Sequence, residues 1–210
     1  MTVMTGRFIK LLAIVCLAPL ALAVHADEAG VTAIMLQYDE QEPGTDAYPL
    51  RILVTDSYLR IDDGQDKGDF ILMDRGERRV YSIDHDEQTV LVLHYQAADS
   101  ALPEDLVLSA VRAPDLAAPK IQGRQPVNHR YLANDELCLQ TVTVPGLLDG
   151  AVTAMAEYAG ILAARELQNL DQVPVAMKTP CYLARYVHTP AWHLQDGLPL
   201  QEWDDAGYRR

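Results

Sequence analysis

This sequence is short of cations, of cysteine and of any apolar run long enough to cross a membrane. It holds 17 Lys and Arg against 30 Asp and Glu, which gives a formal net charge of -13 at pH 7. A surface with this charge repels nucleic acid and anionic lipid headgroups, so nucleic-acid binding is excluded as a function. The longest apolar run, 11–24, has 14 residues, whereas a membrane-spanning helix needs about 20.

Motifs that indicate catalysis are also missing. The sequence has no G-x-S-x-G, no H-E-x-x-H and no glycine-rich phosphate-binding loop. His85 falls in a polar hairpin turn, and His188 and His193 would point to opposite faces of a predicted strand. The stretch "DDGQDKGD" alternates acids as a calcium loop does, but it lacks the remaining ligands and the distal Glu. The sequence therefore predicts a non-catalytic protein with no cofactor and no metal site.

The chain has three cysteines, and two of them lie outside the N-terminal apolar run. Cys138 and Cys181 form an even pair, which in an exported chain favours a disulfide. Closing a loop of this length would stabilise the fold by about 4 kcal/mol in the chain-entropy model. A redox or metal-binding pair is the weaker interpretation, because there is no C-x-x-C spacing and no His at ligand spacing beside either cysteine.

The N-terminus has the features of a secretory signal peptide. Arg7 and Lys10 precede the apolar run, and Val24 and Ala26 occupy the -3 and -1 positions of a small-residue cleavage site. We expect cleavage after Ala26, a periplasmic location and a single domain over 27–210. An uncleaved anchor is the alternative. Because the leader holds two cations and no acid, the remaining 184 residues would carry a net charge of -15.

Residues 31–95 have the pattern of an antiparallel meander. Short apolar runs alternate with turns rich in Gly, Asp and Pro, such as "EPGTD" and "DGQDKG". The predicted strands are 31–39, 49–56, 58–62, 69–74, 78–84 and 89–95. Their regular succession favours one continuous sheet.

Alternation along these strands gives the sheet one apolar face, because successive side chains point to opposite sides. The predicted apolar face carries Ile34, Leu36, Tyr38, Leu50, Ile52, Val54, Leu59, Ile61, Tyr81, Ile83, Leu91 and Leu93. The reverse face mixes charged residues such as Arg51 and Arg60 with Val80 and Val92. A sheet with one strongly apolar face must curve around something or be covered.

The remainder of the chain is predicted to contain further strands and an irregular segment. Prolines punctuate 95–126, which is expected to be irregular apart from a short helix or strand near 106–111. A hairpin follows, with strands at 126–132 and 137–144. Two last strands are predicted at "CYLARYVH" and "GLPLQEW".

One convincing helix is predicted over 149–170. Apolar residues recur there at helical spacing, namely Val152, Met155, Ala159, Leu162, Ala163 and Leu170. Asp149 suits the start of a helix, as N-cap or as first-turn anion. The predicted fold is therefore α+β and mainly β: a curved antiparallel sheet forming an incomplete barrel, with this helix covering its concave face.

The stretch "ILVTDSYLRIDDGQDKGDFILMDRGERRVYSIDHDEQTVLVL" resembles the periplasmic lipoprotein-carrier superfamily, which comprises the half-barrels of the lipoprotein localisation factors and uncharacterised exported relatives. An "ILxxxG" strand, a "VYxxD" strand and a "Q-T" strand follow in that family's order. The later "IQGRQPVNHRYLANDELCLQTVTV" is similar to the hairpin that the relatives place before their helix. Together these stretches span 66 residues, somewhat more than a third of the 184 in the predicted mature chain.

This resemblance implies an unclosed barrel with helices over its mouth and a cavity that, in the carriers, receives acyl chains. One position departs from the family. Carriers place an Arg near the strand that contains Leu53 and Val54, whereas this chain has Asp56 there and Arg60 further on. No lid or shuttling role is therefore transferred to a residue of this chain.

The function predicted from these features is non-catalytic binding in the periplasm. A concave face that its own side chains do not fill would hold a lipid tail or another apolar ligand. The predicted ligand-binding residues are Ile52, Val54, Leu59, Ile61, Tyr81, Leu91, Leu93, Val152, Met155 and Leu162. An ordinary packed core would use the same residues.

The alternative function is a periplasmic protein-interaction or envelope-sensing module with a solid core and no ligand. A partner would then add a strand to a sheet edge near the last strand, or dock on the acidic convex face. Trp192 and Trp203 would either cap the core or form a surface anchor.

Overall fold

Strands and one long helix make up most of the regular secondary structure of the described residues. The computed structural model describes residues 30–65, 67–97, 101–204 and 206–210, so the predicted signal peptide and its cleavage site lie outside the described residues. The chain from Val31 to Arg210 forms one compact unit. In the described part of the chain, no helix is both long enough and apolar enough to span a membrane.

The described strands form two antiparallel sheets, with six and four strands. The first sheet has the order β1-β2-β3-β4-β5-β6 and the second the order β10-β9-β8-β7. The strands are β1 (Ile34–Glu40), β2 (Tyr48–Val54), β3 (Tyr58–Asp62), β4 (Phe70–Asp74), β5 (Arg79–Asp84), β6 (Thr89–His94), β7 (Leu108–Pro114), β8 (Val127–Ala133), β9 (Glu136–Val144) and β10 (Leu198–Trp203). The sheets do not close into a barrel. A mainly β, antiparallel fold and the meander over 31–95 are confirmed, and the incomplete barrel is not.

Turn residues explain where the strands of the second sheet reverse and begin. Asn134 and Asp135, with φ of 48° and 63°, form the tight turn between β8 and β9 at the predicted place. Gly197, with φ of 118°, precedes β10. A Cβ there would lie 2.5 Å from the backbone oxygen of Val144, so this close approach requires glycine.

Strand register determines which face of the first sheet is buried. Directly opposite one another on successive strands stand Val54, Leu59, Met73 and Val80, all at most 3% exposed. Because paired residues share a face, Val80 belongs to the inner face and its neighbour Tyr81 to the outer one. The prediction that placed Tyr81 and Ile83 on the inner face is therefore wrong. β5 has apolar residues on both faces, so alternation alone did not identify the buried one.

The helix α1 (Asp149–Asn169) confirms the one predicted over 149–170. Leu148 precedes it in the left-handed conformation, so Asp149 is a first-turn anion near the positive end of the helix dipole and not the N-cap. Ala151 and Ala154 are fully buried, which allows α1 to approach the strands closely. Its contacts reach β2, β3 and β5 of the first sheet and β10 of the second.

The segment after Pro180 is helical, so the strand predicted at "CYLARYVH" is wrong. It consists of α2 (Pro180–Tyr182) and a π-helix (Leu183–His188). Thr179 caps its start, because its Oγ1 accepts a hydrogen bond from the Tyr182 backbone N–H. The buried residues Ala184 and Val187 are three apart, which is helical spacing. The expectation that two histidines lie on opposite faces of a strand is wrong for the same reason.

Single-turn 3-10 helices complete the helical structure of the described chain. They are Leu170–Gln172, Val175–Met177 and His193–Asp196. The strand or helix expected near 106–111 is the strand β7, and the predicted last strand is β10.

Both sheets contribute to one hydrophobic core. Its buried members include Leu36, Ile52 and Met73 of the first sheet and Val144 and Leu198 of the second, together with α1. A smaller cluster surrounds the two cysteines beside α2. The two sheets are therefore packed on the same helix and on each other's core residues.

The C-terminal residues connect the edges of the two sheets. The backbone of Arg209 pairs with Gln41, next to β1, and the backbone of Arg210 pairs with Glu202 in β10. Nearby, the Tyr38 hydroxyl donates to the backbone oxygen of Pro199 at 2.9 Å. β1 and β10 are thus bridged by a short inserted segment.

Candidate ligand cavity

A cavity of about 310 Å³ lies along α1 and is open to solvent on one side. This volume is at the lower end of the range of small-molecule sites. Most of the lining is apolar or aromatic and is drawn from both sheets, α1 and the chain after Pro180: Ile52, Ile61, Tyr131, Leu139, Met155, Tyr158, Ala159, Leu162, Ala163, Tyr186, Pro190, Trp192 and Leu194. The polar lining residues are Glu166, Arg185, Thr189, His193 and Arg210.

An aromatic pair forms the wall on the second sheet. The rings of Tyr131 and Trp192 meet edge to face with centroids 5.0 Å apart. The Tyr131 hydroxyl donates to Asp196 Oδ2 at 2.7 Å. Burial and the carboxylate of Asp196 both raise the pKa of Tyr131, so the phenol stays neutral. The ring contact with Trp192 and the hydrogen bond to Asp196 together fix the orientation of the Tyr131 ring.

A buried histidine and threonine stand behind that wall. Thr143 Oγ1 donates to the backbone oxygen of Asp196 at 3.0 Å, so its 2.9 Å contact with His129 Nε2 requires the imidazole to donate. His129 Nδ1, left with a lone pair, is 3.6 Å from Asp196 Oδ2. Burial lowers the pKa of His129, and Asp196 opposes this only in part. Because Thr143 is fully buried and donates its proton to a carbonyl, the arrangement is structural and not nucleophilic.

A buried carboxylate contacts two polar residues of the cavity lining, Arg210 and His193. Glu202, only 5% exposed, contacts Arg210 through Oε2, and His193 Nε2 lies 3.0 Å from its Oε1, outside hydrogen-bonding direction. Burial acts to raise the pKa of Glu202, but Arg210 and then His193 outweigh it and hold that pKa at about 2. A buried carboxylate is thus ionised at neutral pH, and its partner guanidinium reaches the cavity.

A disulfide anchors the helical segment that faces α1 across the cavity. Cys138 in β9 and Cys181 in α2 are bonded, with Cα atoms 5.0 Å apart, as predicted. The bond joins the second sheet to the segment that supplies Tyr186 and Arg185 to the lining.

Three polar contacts hold the same segment in place. Tyr182 donates to Glu166 Oε2 of α1 at 2.8 Å. Arg185 donates to Asp204 Oδ2 at 2.9 Å and to the backbone oxygen of Cys138 at 3.1 Å. The cavity wall after Pro180 is therefore tied to α1, to β9 and to the chain beyond β10.

The structure brings part of the predicted ligand-binding set together. Lining the cavity are Ile52, Ile61, Met155 and Leu162. In the core beside it lie Val54, Leu59, Val152 and Leu93. Leu91, on the edge strand β6, is 61% exposed, and Tyr81 lies on the outer face.

Sequence reasoning missed the contributions of the second sheet and of the chain after Pro180. No motif or spacing pointed to Tyr131, Leu139, Tyr186 or Arg210 as lining residues. The helical spacing of Ala184 and Val187 was the signal that could have moved this segment from strand to helix. Trp192 was expected only as a cap for the core or a surface anchor.

Apart from the cavity, neither a metal-binding cluster nor similarity to another protein indicates a function. Over 30–65, 67–97, 101–204 and 206–210, no group of three or more His, Cys, Asp or Glu is placed to hold a metal ion. No family model, no curated protein and no solved structure matches this chain.

Proposed function

We propose that this protein is an exported, non-catalytic carrier of an apolar ligand, such as a single acyl chain, held in the cavity along α1. The observation that carries the proposal is the apolar cavity itself, whose lining combines both sheets, α1 and the disulfide-anchored segment. Each buried methylene contributes about 0.8 kcal/mol, so eight to ten of them supply about 6 to 8 kcal/mol before the cost of binding. That gain is enough for measurable affinity without any catalytic group.

The half-barrel is part of the same proposal. Two features favour it: one core shared by both sheets, and a C-terminal segment that pairs with the edge strands of both. In this interpretation the two sheets together form one curved sheet, and α1 lies on its concave face. Membership of the periplasmic lipoprotein-carrier superfamily would require the same half-barrel.

Export to the periplasm is supported by the disulfide. Structural disulfides persist in oxidising compartments and are rare in the cytosol. Intact mass spectrometry of the protein purified from an envelope fraction should give a chain starting at Asp27 with both cysteines oxidised. A full-length, reduced chain would contradict the proposed location.

Filling the cavity tests the proposed function. Ala159 lies on α1 and lines the cavity, so Ala159→Trp should fill it and weaken binding of a fluorescent twelve-carbon fatty acid at least tenfold in a fluorescence titration. Thr153→Trp places the same side chain on the exposed face of α1 and should leave binding unchanged.

Native mass spectrometry of the wild-type protein provides a measurement that does not depend on a variant. Copurified lipid, lost on Ala159→Trp, agrees with the proposal. Wild-type protein that binds no fatty acid and carries no lipid would instead indicate a solid core and the interaction-module alternative.

A further inference from the structure

The last strand of the first sheet, β6, has a free side with which no strand of the described residues pairs. This free side is called here the β6 edge. Three large apolar residues of β6 are exposed: Val90 is 55%, Leu91 61% and Val92 38% exposed. The described lining of the cavity along α1 includes none of them. The role of the β6 edge therefore does not depend on the proposed apolar ligand.

Unlike the other sheet edges, the β6 edge lacks the features that block strand pairing. β6 contains no Pro, Lys, Arg, Asp or Glu, and its pairing with β5 runs without a bulge. β7, at the end of the second sheet, contains Arg112 and Pro114. The edges at β1 and β10 are bridged by the C-terminal residues. Of the edges in the described chain, the β6 edge is thus the one best suited to add a strand.

The backbone groups available at the β6 edge follow from the pairing of β6 with β5. The Tyr95 N–H donates to the Arg78 backbone oxygen at 3.1 Å, just beyond the end of β6. Bonded positions alternate along an antiparallel strand, so every second residue back along β6 also bonds to β5. The intervening residues Val90 and Val92 therefore turn their N–H and C=O groups to the β6 edge.

Apolar side chains occupy both faces of the sheet at the β6 edge. Leu93 stands opposite the buried Val80, so Leu93 and Leu91 belong to the inner face. Val90 and Val92 lie between them in sequence and belong to the outer face. A strand added here must therefore be apolar on both faces, and β6 itself is such a strand.

A second copy of β6 meets these requirements when it runs antiparallel with Leu91 opposite its own counterpart. This register places Val90 opposite Val92 of the second copy, so the outward-turned backbone groups meet in two hydrogen-bonded pairs. Paired positions must share a face, so the neighbouring registers differ by two residues. One of them would place Val90 opposite His94, and the other would place an apolar residue opposite the acidic turn before β6.

The same register pairs opposite charges beyond both ends of the strand. It brings Glu87, exposed in the turn before β6, level with Tyr95 of the second copy. The exposed Arg78 holds its guanidinium over the Tyr95 ring, 3.4 Å from the centroid. Because a two-fold axis relates the copies, the contact between Glu87 and Arg78 occurs twice, once at each end.

The acids close to Arg78 in the sequence are directed to other groups. Glu77 lies 3.8 Å from the guanidinium of Arg79. The carboxylate of Asp74 accepts a hydrogen bond from the Glu77 backbone N–H at 2.9 Å. The exposed side chain of Arg78 can therefore pair with Glu87 of the second copy.

We infer that the β6 edge binds a second copy of this chain, so that the first sheets of the two copies, with six strands each, join into one antiparallel sheet. Backbone pairing of Val90 with Val92 supplies the contact, and the Glu87–Arg78 pairs fix its register. A contact of one six-residue strand is smaller than a standard interface of about 1,600 Å². Both copies are also acidic, so the dimer is weak, with a Kd on the order of 100 µM.

Sedimentation velocity over a concentration series tests this inference. The wild-type protein should change from monomer to dimer between about 10 µM and about 1 mM. Glu87→Lys places like charges at both ends of the contact and should weaken the dimer about tenfold. Adding Arg78→Glu to this variant restores the pairs with reversed charge and should recover most of the loss.

The matched control is Glu42→Lys, which makes the same change of net charge. Glu42 is exposed in the turn after β1, at the opposite end of the same sheet. This variant should dimerise as the wild type does. If Glu42→Lys weakened the dimer as much as Glu87→Lys, the contact would not lie at the β6 edge.

Cysteine cross-linking tests the register directly. Leu91 and its counterpart form a non-hydrogen-bonded pair with Cα atoms about 4.5 Å apart, within reach of a disulfide. Leu91→Cys should therefore give a covalent dimer on mild oxidation, whereas Val90→Cys, displaced from its own counterpart by two positions, should give much less. A wild-type protein that stays monomeric at about 1 mM would overturn the inference. So would a double charge variant without recovery, or cross-linking of Val90→Cys in preference to Leu91→Cys.

Discussion

At the residue scale, the buried carboxylate of Glu202 should make stability depend on pH. Its folded pKa of about 2 lies below the ordinary value of 4.5. The group therefore contributes stability above pH 4.5, and this contribution is lost as pH falls toward 2. We expect Glu202→Gln, which leaves Arg210 buried without its counter-ion, to lower the free energy of unfolding by about 3 kcal/mol at pH 7. Urea unfolding at several pH values measures the difference from wild type.

The difference in free energy of unfolding between wild type and Glu202→Gln should shrink between pH 4.5 and pH 2. Over that range the wild-type carboxyl becomes protonated and then resembles the amide of the variant. The matched control is Glu157→Gln, which removes an ion pair with Arg75 whose carboxylate is 42% exposed. An exposed pair contributes about 0 to 1 kcal/mol, so this control should change little. A difference for Glu202→Gln that is constant from pH 7 to pH 2 would contradict the assigned pKa.

The sequence predicts the face of a residue only where the alternation is unambiguous. Leu59 lies between the exposed Tyr58 and the charged Arg60, and it was assigned correctly to the inner face. In β5, Val80 and Tyr81 are adjacent and both suit a buried position. The choice is made by the register with β4, which places Val80 opposite the fully buried Met73. That pairing depends on the hairpin and cannot be read from β5 alone.

At the scale of elements, the disulfide should be the main constraint on the segment from α2 onward. It closes a loop with a sequence separation of 43 residues. Replacing both cysteines, as Cys138→Ala with Cys181→Ala, should lower the free energy of unfolding by about 4 kcal/mol in the chain-entropy model. Alanine is chosen because Cys138 is buried and a serine hydroxyl there would add its own cost.

Urea unfolding of the double variant and of the reduced wild-type protein provides the comparison. The two should lose similar amounts of stability if the bond itself is responsible. A loss below about 1 kcal/mol in both would show that the contacts of Tyr182 and Arg185 hold the segment without the bond.

Whether a segment is a helix or a strand could be predicted where its apolar residues recur with a single spacing. α1 has clear helical spacing, and the meander has turn residues at regular intervals, so both were found. "CYLARYVH" contains several β-favouring residues and was assigned to a strand, although Pro180 and the capping Thr179 mark a helix start. Local start signals outweighed strand propensity in this segment, whose first residue, Cys181, is bonded to Cys138 of β9.

At the scale of the whole molecule, the sequence could not predict how the two sheets meet. Gln41 pairs with Arg209, and the Tyr208 hydroxyl donates to Glu40 at 2.7 Å across 168 positions of sequence. No periodicity within a strand encodes contacts over such a distance. The cavity is similarly nonlocal, since Ile52 and Tyr131 come from different sheets. The core-facing residues of α1 and the first sheet were predictable, whereas the wall from the second sheet was not.

A core shared by both sheets should make the domain unfold in one step. Leu59 is fully buried in the first sheet, so Leu59→Ala should lower the free energy of unfolding by about 3 kcal/mol. Trp192 and Trp203 belong to the second sheet and its surroundings, so tryptophan fluorescence reports on the other half of the core. Fluorescence and far-UV circular dichroism should therefore shift together in urea.

The control for this prediction is Leu116→Ala, because Leu116 is 86% exposed and its truncation should change stability by less than about 0.5 kcal/mol. If Leu59→Ala moved the circular dichroism transition but left the tryptophan transition in place, the two sheets would be unfolding separately. The cavity would then lie between independently stable halves, and a ligand bound there would couple them. If the transitions coincide, the sheets already act as one unit, and a bound ligand stabilises the whole domain to a degree set by its affinity and concentration.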